Sequence, residues 1–372
     1  MRNRTARFLP NEIMKMTEGK LISKRIDKII NNFKREGIDA LLVTKPANVR
    51  YLSGFEGGEA SLYLTKGKRF IITDFRYELQ ANKETQGFEI KLVNGSIFEL
   101  VGELARELKT GRLGFEYKYL TYGEHAEIKS KLSNADFLPT FGMVEEFRQI
   151  KGAYEISFIR RAITILKKAH HYFKSILKPG ITENDLAAEM EHFIKSISGE
   201  RSSFEIIVAS GSNSALPHAK PGRRKIQSND AVLLDLGVNY KGYNSDLTRI
   251  FFLGKITAKS KKIYNIVKEA QRCCLKAIRP GIKISKIDKI GRDFIYKSGF
   301  GDYFGHAIGH GIGLEVHEEP PISHKNHAIL KPGMVFTIEP AIYLPNWGGI
   351  RLEDMILVSR GGCEILTDDI DK

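Results

Sequence analysis

The chain has 372 residues, which exceeds the ~250 to 300 residues at which one hydrophobic core usually stops growing, so two domains are expected. Its content of 42% hydrophobic and 27% charged residues excludes extensive disorder, and it has no apolar run near the ~18 residues of a membrane helix. The net charge of +14 leaves a nucleic-acid partner as an alternative, but the basic residues are spread along predicted helices without interleaved aromatic residues.

The beginning of the chain and the cysteines indicate the compartment. Residues 1–19 lack the apolar region of a signal peptide and contain acidic residues that a transit peptide avoids, so we expect a flexible tail. Cys273 and Cys274 are adjacent and Cys363 is distant, so no disulfide framework and no cysteine metal site is predicted. A cytoplasmic protein is therefore the expectation.

Helices and strands alternate in the first part of the chain. Apolar residues at helical spacing begin near Lys20, and Gly37 follows where a helix C-cap belongs. Further strands are predicted at residues 40–43, 61–64, 70–73, 88–93 and 113–117, with helices at 97–108 and 124–132. This alternation predicts an α/β layer domain over residues 20–150.

The second part of the chain contains an internal repeat. Residues 179–181, Pro-Gly-Ile, recur at 280–282, and residues 193–194, Phe-Ile, recur at 294–295, both at an offset of 101 residues. A long amphipathic helix precedes each copy and a strand-rich region follows it. Residues 151–372 are therefore predicted to form a duplicated α+β domain with a cleft between its halves.

Two aspartates interrupt apolar strands in this domain. Asp235 lies within the apolar run 232–238, and Asp246 opens a second strand-like run, with Lys241 and Gly242 supplying a turn between them. A hairpin would place the two carboxylates on adjacent strands, where burial and repulsion call for a cation or a shared proton. Surface aspartates are the alternative, which the flanking leucines argue against.

Residues 305–318 place three histidines among glycines. Glycines permit close backbone approach, and neutral imidazole is a common metal ligand, so His306, His310 and His317 are candidate site residues. A single histidine is more often structural or exposed; three within twelve residues favour a site. The spacing differs from that of a helical His-Glu-x-x-His zinc site.

Two glutamates complete a candidate ligand set. Glu339 and Glu353 each interrupt a β-rich apolar run, although either alone would more often be a partly exposed strand residue. Together with Asp235, Asp246 and His310 they supply four carboxylates and one imidazole, whose charge matches two divalent cations. We therefore predict a buried two-metal site.

The order Asp, Asp, His, Glu, Glu in these surroundings, and above all the string 309–318, closely resembles the creatinase-like "pita-bread" metallopeptidases of family M24. These include methionine aminopeptidases, aminopeptidase P and prolidase, and the resemblance covers about residues 20–368. It implies an α+β protein in which a pita-bread domain with an internal pseudo-twofold repeat, residues 151–372, follows an α/β creatinase-like N-terminal domain. It also implies that two divalent metal ions are held by Asp235, Asp246, His310, Glu339 and Glu353, with Asp246 and Glu353 bridging.

The N-terminal domain distinguishes the branches of this family. Residues 48–55, 74–77 and 215–218 resemble Xaa-Pro peptidases, whereas methionine aminopeptidases lack such a domain. The implied activity is hydrolysis of the Xaa-Pro bond at the N-terminus of peptides, with a metal-bridging hydroxide as the nucleophile. Oxygen-rich ligation favours Mn²⁺ or Co²⁺ over Zn²⁺, and the resemblance implies a homodimer.

The resemblance also implies roles for individual residues. Glu339 would relay a proton from the attacking water, and His317 would bind the substrate carbonyl or the developing oxyanion. His218 and His306 would line the site around the proline. Arg351 would orient the carboxylate of Asp235.

One departure from the family affects the substrate. Some prolidases carry an arginine soon after the glutamate that follows the equivalent of His317, and residues 320–322 here are Pro-Pro-Ile. Xaa-Pro aminopeptidase activity is therefore the first expectation and Xaa-Pro dipeptidase (prolidase) activity the second. A catalytically silent peptide-binding relative is the rival from another class; loss of ligands would mark it, and all five are present.

Overall fold

The computed structural model describes residues 11–198 and 200–371, in two compact units that meet in sequence between Phe147 and Arg148. Of the predicted tail, residues 1–10 lie outside the described residues. Residues 11–19 form the beginning of the first helix, Asn11–Asn31, and this segment is rich in Glu, Met and Lys, which have high helix propensity. No helix in the described ranges is both long enough and apolar enough to cross a membrane.

The first unit is built on one mixed sheet whose strands are ordered β4-β3-β2-β1-β5-β6. Its strands are β1 Ala40–Val43, β2 Ser61–Thr65, β3 Arg69–Thr73, β4 Glu89–Leu92, β5 Arg112–Glu116 and β6 Asp136–Thr140. Its helices are α1 Asn11–Asn31, α2 Phe33–Glu36, α3 Pro46–Ser53, α4 Glu78–Glu84, α5 Ile97–Glu107 and α6 Tyr122–Lys131, and α7 Glu145–Arg148 follows. Every strand predicted in this unit is confirmed, while α3, α4 and β6 were not predicted.

The second unit alternates helix pairs with strand-rich regions. Its helices are α8 Ala153–Ile176, α9 Glu183–Ser198, α10 Ala258–Ala277 and α11 Ile284–Lys297. The strands before α10 are β7 Arg201–Ser202, β8 Ile207–Ser210, β9 Ala231–Leu236, β10 Val238–Tyr240, β11 Tyr243–Asn244 and β12 Leu247–Phe252. The strands after α11 are β13 Gly309–Gly311, β14 Glu318–Ile322, β15 Val335–Ile338, β16 Ala341–Leu344, β17 Gly348–Arg351, β18 Asp354–Val358 and β19 Cys363–Ile365.

The predicted repeat is present in this unit. The turn between α8 and α9 contains Gly180 at φ 93°, and the turn between α10 and α11 contains Gly281 at φ 85°. The Gly180 N–H donates to the Ile226 carbonyl at 2.9 Å, and the Gly281 N–H donates to the Leu330 carbonyl at 2.9 Å. The two halves therefore share a helix pair, a left-handed glycine turn and a main-chain hydrogen bond donated by that glycine.

The central strands of the second unit are covered on both faces. Leu233 of β9 packs in a hydrophobic cluster with α10 and α11, whereas its neighbours Val232 and Leu234 pack in a cluster with α8 and α9. Alternate residues of a strand point to opposite faces, so a strand between two helix layers must be apolar throughout. A charged residue inside such a strand lies in a low-dielectric environment and needs a partner.

Candidate metal centre

The hairpin predicted around Asp235 and Asp246 is confirmed. Strands β9 and β12 are antiparallel with Asp235 opposite Thr248, and Asp246 lies two residues before Thr248, on the same face of the pair. At the tip, Lys241 and Gly242 have φ of 47° and 81°, the left-handed pair that a two-residue hairpin turn requires. Both carboxylates are therefore aimed to one side of the sheet.

The remaining ligands predicted from the sequence lie near the five-stranded sheet of the second unit, whose strands are ordered β14-β13-β15-β18-β19. Ile338 at the end of β15 is opposite Asp354 at the start of β18, so Glu339 and Glu353 leave the two strands at the same end. His310 lies on β13, and its N–H donates to the Thr337 hydroxyl of β15 at 3.1 Å.

Glycine next to His310 is required by the close approach of two strands. A Cβ at position 309 would lie 1.9 Å from the Thr337 carbonyl oxygen, well inside van der Waals contact. A Cβ at Gly311 would similarly lie 2.4 Å from the Glu319 carbonyl oxygen. These glycines let β13 pack between its neighbours and aim the imidazole of His310 at the carboxylates.

The structure brings the ligand atoms of Asp246, His310 and Glu353 within 4.8 Å of one another. The His310 Nε2 is 3.6 Å from Asp246 Oδ2 and 3.5 Å from Glu339 Oε1, so Glu339 adjoins this group through the imidazole. Asp235 is not in the three-residue group, but its charge acts on Asp246 and Glu353.

Burial and mutual repulsion perturb the carboxyl groups strongly. Burial raises the pKa of Asp246 and of Glu353 well above the usual range, and repulsion by neighbouring carboxylates adds to it. Burial likewise raises the pKa of Glu339 to about 7. Burial lowers the pKa of His310 to about 3, so its imidazole is neutral at pH 7 and able to act as a metal ligand.

Two observations show that these residues fit a divalent cation. The Nδ1 of His310 is 3.1 Å from the Gly311 carbonyl oxygen, to which it donates, so the lone pair of Nε2 faces the carboxylate oxygens of Asp246 and Glu339. Among the described residues, the buried Asp235 Oδ1 has no hydrogen-bond partner. Acceptors that face one another without a proton are stabilised by a cation, and this oxygen-rich set with one imidazole suits a divalent metal.

A buried polar network supports these carboxylates. Arg351 donates from Nη2 to Asp235 Oδ2 at 2.5 Å, from Nε to the Thr248 hydroxyl at 3.0 Å and from Nη1 to the Tyr343 hydroxyl at 2.6 Å. Thr248 in turn donates to Glu353 Oε2 at 2.8 Å. Sequence reasoning placed Arg351 here and missed Thr248 and Tyr343; the position of Thr248, two residues after Asp246 on one strand, was the available signal.

The other histidines lie beside this centre. The exposed ring of His317 is 4.1 Å from that of His310, centroid to centroid, and the half-buried His306 has its Nε2 3.4 Å from the Tyr343 hydroxyl. His218 is exposed. Burial is the main cause of the lowered pKa of His317, with His218 next, and His218 makes a smaller contribution to the lowered pKa of His306, after burial and the charges of Arg351 and Arg292. The pKa of His306 falls to about 4.

The chain is similar to known proteins over most of its length. Residues 157–360 match the family described as metallopeptidase family M24, and residues 25–150 match the creatinase/prolidase N-terminal domain. A peptidase of Bacillus subtilis named as uncharacterised, YqhT, is 41% identical over 92% of this chain and 97% of its own length. The Xaa-Pro dipeptidase of Pyrococcus horikoshii is 36% identical over 93% of this chain and 97% of its own length.

Solved structures are similar over the same extent. An Xaa-Pro dipeptidase from Bacillus anthracis has a TM-score of 0.91 at 40% identity and covers 94% of this chain and 99% of its own. An X-Pro aminopeptidase from Thermotoga maritima has a TM-score of 0.83 at 35% identity and covers 91% of this chain and 97% of its own.

Proposed function

The chain belongs to metallopeptidase family M24, and we propose that it is an Xaa-Pro dipeptidase, which cleaves the bond between the two residues of an Xaa-Pro dipeptide. Family membership confirms the fold expected from the sequence, a pita-bread domain after a creatinase-like N-terminal domain. The proposal reverses the order expected from the sequence, in which aminopeptidase activity came first. Relatives that match over 93% of the chain, at 36% and 35% identity, are named Xaa-Pro dipeptidases, which supports the dipeptidase activity.

The observation that carries the hydrolytic part of the proposal is the buried cluster of four carboxylates and one neutral imidazole. Asp246, His310 and Glu353 converge within 4.8 Å, Glu339 adjoins His310, and Asp235 presents an oxygen without a protein partner among the described residues. We propose that these five residues hold two divalent cations, with Mn²⁺ or Co²⁺ favoured over Zn²⁺ by the oxygen-rich donor set.

Such cations, when bound, polarise a scissile carbonyl and lower the pKa of water. The chain's own residues supply proton transfer and positioning. As the family resemblance implies, we propose that Glu339, which lies against His310, takes up the proton of the attacking water and passes it on. Arg351 donates to Asp235 and fixes its carboxylate plane.

The neighbouring histidines supply the substrate contacts. His317 is exposed beside His310, and we propose that it donates to the substrate carbonyl and that His306 and His218 contact the proline residue. The Nδ1 of His306 donates to the Ala307 carbonyl at 2.7 Å, which leaves Nε2 as an acceptor. The placement of His306 and His317 beside the metal centre supports these proposed roles.

Xaa-Pro aminopeptidase activity is the second candidate. Residues 320–322 are Pro-Pro-Ile where some prolidases carry an arginine for the dipeptide carboxylate, which favours substrates that continue beyond proline. The similar X-Pro aminopeptidase from Thermotoga maritima also supports this candidate. Both candidates share the metal centre and differ in the group that follows the proline.

The experiment compares an Xaa-Pro dipeptide with the matching Xaa-Pro-Yaa tripeptide. Purified protein is chelated, and each substrate is then assayed after addition of Mn²⁺, Co²⁺ or Zn²⁺. Metal-dependent cleavage of the dipeptide, with a higher kcat/KM than for the tripeptide, is expected. Preferential release of Xaa from the tripeptide would instead establish the aminopeptidase, and failure to cleave either substrate with metal bound would refute both candidates.

We further propose that the protein is a cytoplasmic homodimer without a nucleic-acid partner, as the resemblance and the scattered basic residues suggest. Light scattering behind size exclusion is expected to give twice the chain mass of 42.0 kDa. Titration of DNA or RNA at low salt is expected to show no binding, since phosphate contacts would be strongest under that condition.

A further inference from the structure

A buried ionic cluster lies directly beside His317 and is not used by the mechanism above. Glu318 follows His317 at the start of β14, and its side chain is 3% exposed. Its Oε1 accepts from the Lys151 ammonium at 2.8 Å and its Oε2 from the Arg148 guanidinium at 2.5 Å. The side chains of Lys151 and Arg148 are 1% and 3% exposed, so water does not share these contacts.

The charges of the cluster keep Glu318 ionised. Burial pushes the pKa of this carboxyl up, but the attraction of Lys151 and Arg148 outweighs it, and the pKa lies below the usual range. Two full hydrogen bonds to cations in a dry environment give a defined geometry. Glu318 therefore has one well-determined position.

That position fixes the loop of residues 312–317, which carries His317. The Glu315 N–H donates to Glu318 Oε2 at 3.3 Å, and Arg148 also donates to Glu315 Oε2 at 2.9 Å. The carboxylate lies against Gly313 so closely that a Cβ there would be 2.6 Å from Glu318 Oε1. The loop thus folds back around the carboxylate.

The imidazole of His317 depends on this backbone for its position. In the described part of the chain its ring has no hydrogen-bond partner, and its ring contact is the perpendicular packing against His310 at 4.1 Å. A side chain that must meet a substrate carbonyl needs its backbone held within a fraction of an ångström. The contacts that supply this precision come from the neighbouring carboxylate.

We propose that Glu318, held by Arg148 and Lys151, is a positioning residue that sets the place of His317 relative to the substrate carbonyl. Glu318 does not touch substrate; it acts through the loop that carries His317. The inference rests on the proposed function, because His317 matters for catalysis only if a carbonyl is hydrolysed at this centre.

The test is a kinetic double-mutant cycle with Glu318→Gln and His317→Ala. Glu318→Gln is expected to lower kcat at least tenfold, with KM within threefold and the affinity for Mn²⁺ unchanged. If Glu318 acts through His317, His317→Ala should lower kcat about 100-fold in the wild-type background. In the Glu318→Gln background the same substitution should lower kcat less than tenfold. The proposal would be overturned if the kcat losses of the two single variants multiply in the double variant, or if a folded Glu318→Gln variant has wild-type kcat.

A second variant separates positioning from stability. Glu318→Gln leaves two buried cations opposite Glu315, and a broken buried pair is destabilising, whereas Glu318→Gln/Lys151→Gln removes one of those cations. The double variant is expected to have a higher Tm than Glu318→Gln and the same low kcat. Recovery of kcat together with Tm would show that Glu318 serves folding alone. Glu364→Gln is the control, because it removes a carboxylate from an exposed ion pair with Arg160; its kcat and Tm should be unchanged.

An activity-independent readout distinguishes failure of this inference from failure of the proposed function. In metal-free protein labelled with ¹³C at histidine Cε1, the resonance absent from His317→Ala belongs to His317. In Glu318→Gln this resonance is expected to shift or broaden while that of the distant His170 stays in place. An unchanged His317 resonance would refute the positioning role whether or not the protein cleaves Xaa-Pro peptides.

Discussion

The Thr248 hydroxyl links Glu353 to Arg351 in the buried polar network, and Thr248→Val tests this link directly. The residue is fully buried, and valine has nearly the same shape. Its hydroxyl donates to Glu353 Oε2 at 2.8 Å and accepts from Arg351 Nε at 3.0 Å. The substitution therefore removes both hydrogen bonds and leaves the volume almost unchanged.

The magnitude follows from the charges of the two partners. A net hydrogen bond to a charged group contributes about 1.5 to 3 kcal/mol, and two such bonds would give at most about 6 kcal/mol. Arg351 keeps its bonds to Asp235 and Tyr343, so partial compensation is expected. We expect the metal-free variant to lose about 3 kcal/mol of unfolding free energy, and metal affinity to fall about 10- to 100-fold because Glu353 loses its orienting donor.

Two assays check this reasoning. Urea unfolding of the chelated protein gives the stability change, and competition with a fluorescent chelator gives the Mn²⁺ affinity. Thr164→Val on the exposed face of α8, where the hydroxyl donates to the Arg160 carbonyl at 2.8 Å, is the matched control and should change neither quantity appreciably. Metal affinity of Thr248→Val within twofold of wild type would refute a supporting role for the hydroxyl.

Three further perturbations have defined outcomes. Gly309→Ala places a Cβ 1.9 Å from the Thr337 carbonyl oxygen, so we expect loss of metal binding and a lower Tm in calorimetry. Gly361→Ala is the control; its Cβ would have open space around it, and the variant should behave as wild type. Glu339→Gln should reduce kcat by about 100-fold or more while elemental analysis still finds metal; full activity with metal bound would exclude proton transfer by Glu339. Burial lowers the pKa of His170 from 6.5 to about 4. Protons therefore bind the unfolded state first, and unfolding free energy should decline as pH falls from 6.5 towards 4, with a smaller decline in His170→Leu by urea titration.

Several candidate site residues were predictable because each differs in polarity or residue type from the sequence around it. Asp235 stands out within an apolar run, and the structure explains the contrast, since β9 is covered by helices on both faces. The turn at Lys241 and Gly242 fixed the hairpin register, which in turn placed Asp246 beside Asp235. His310 stood out through the glycines that strand packing requires.

The supporting residues were not predictable in the same way. Thr248 contacts Glu353 across 105 residues of sequence, and Arg148 contacts Glu318 across 170. Threonine in a strand and arginine in a helix are both common. Neither residue type therefore indicates a supporting role until the tertiary fold brings its partner close. Short helices such as α3 also escaped prediction, because eight residues give too few turns for a periodic pattern.

The beginning of the chain carries two different signals. A basic, signal-free opening predicted a tail over residues 1–19, and helix α1 includes residues 11–19 of that segment. Net charge reports on solubility and partners, whereas the helix propensity of Glu, Met and Lys acts locally and independently of it.

The duplicated halves divide the proposed ligands unequally, and this division has a consequence for the stability of the unit. The first half supplies Asp235 and Asp246, and the second supplies His310, Glu339 and Glu353. A cation bound to both sets adds its own binding free energy to the association of the halves, about 4 kcal/mol at a thousandfold excess over Kd. If the proposed ligand set is right, bound metal would hold the two halves together, so metal loading should protect the connection at residues 253–257 from proteases.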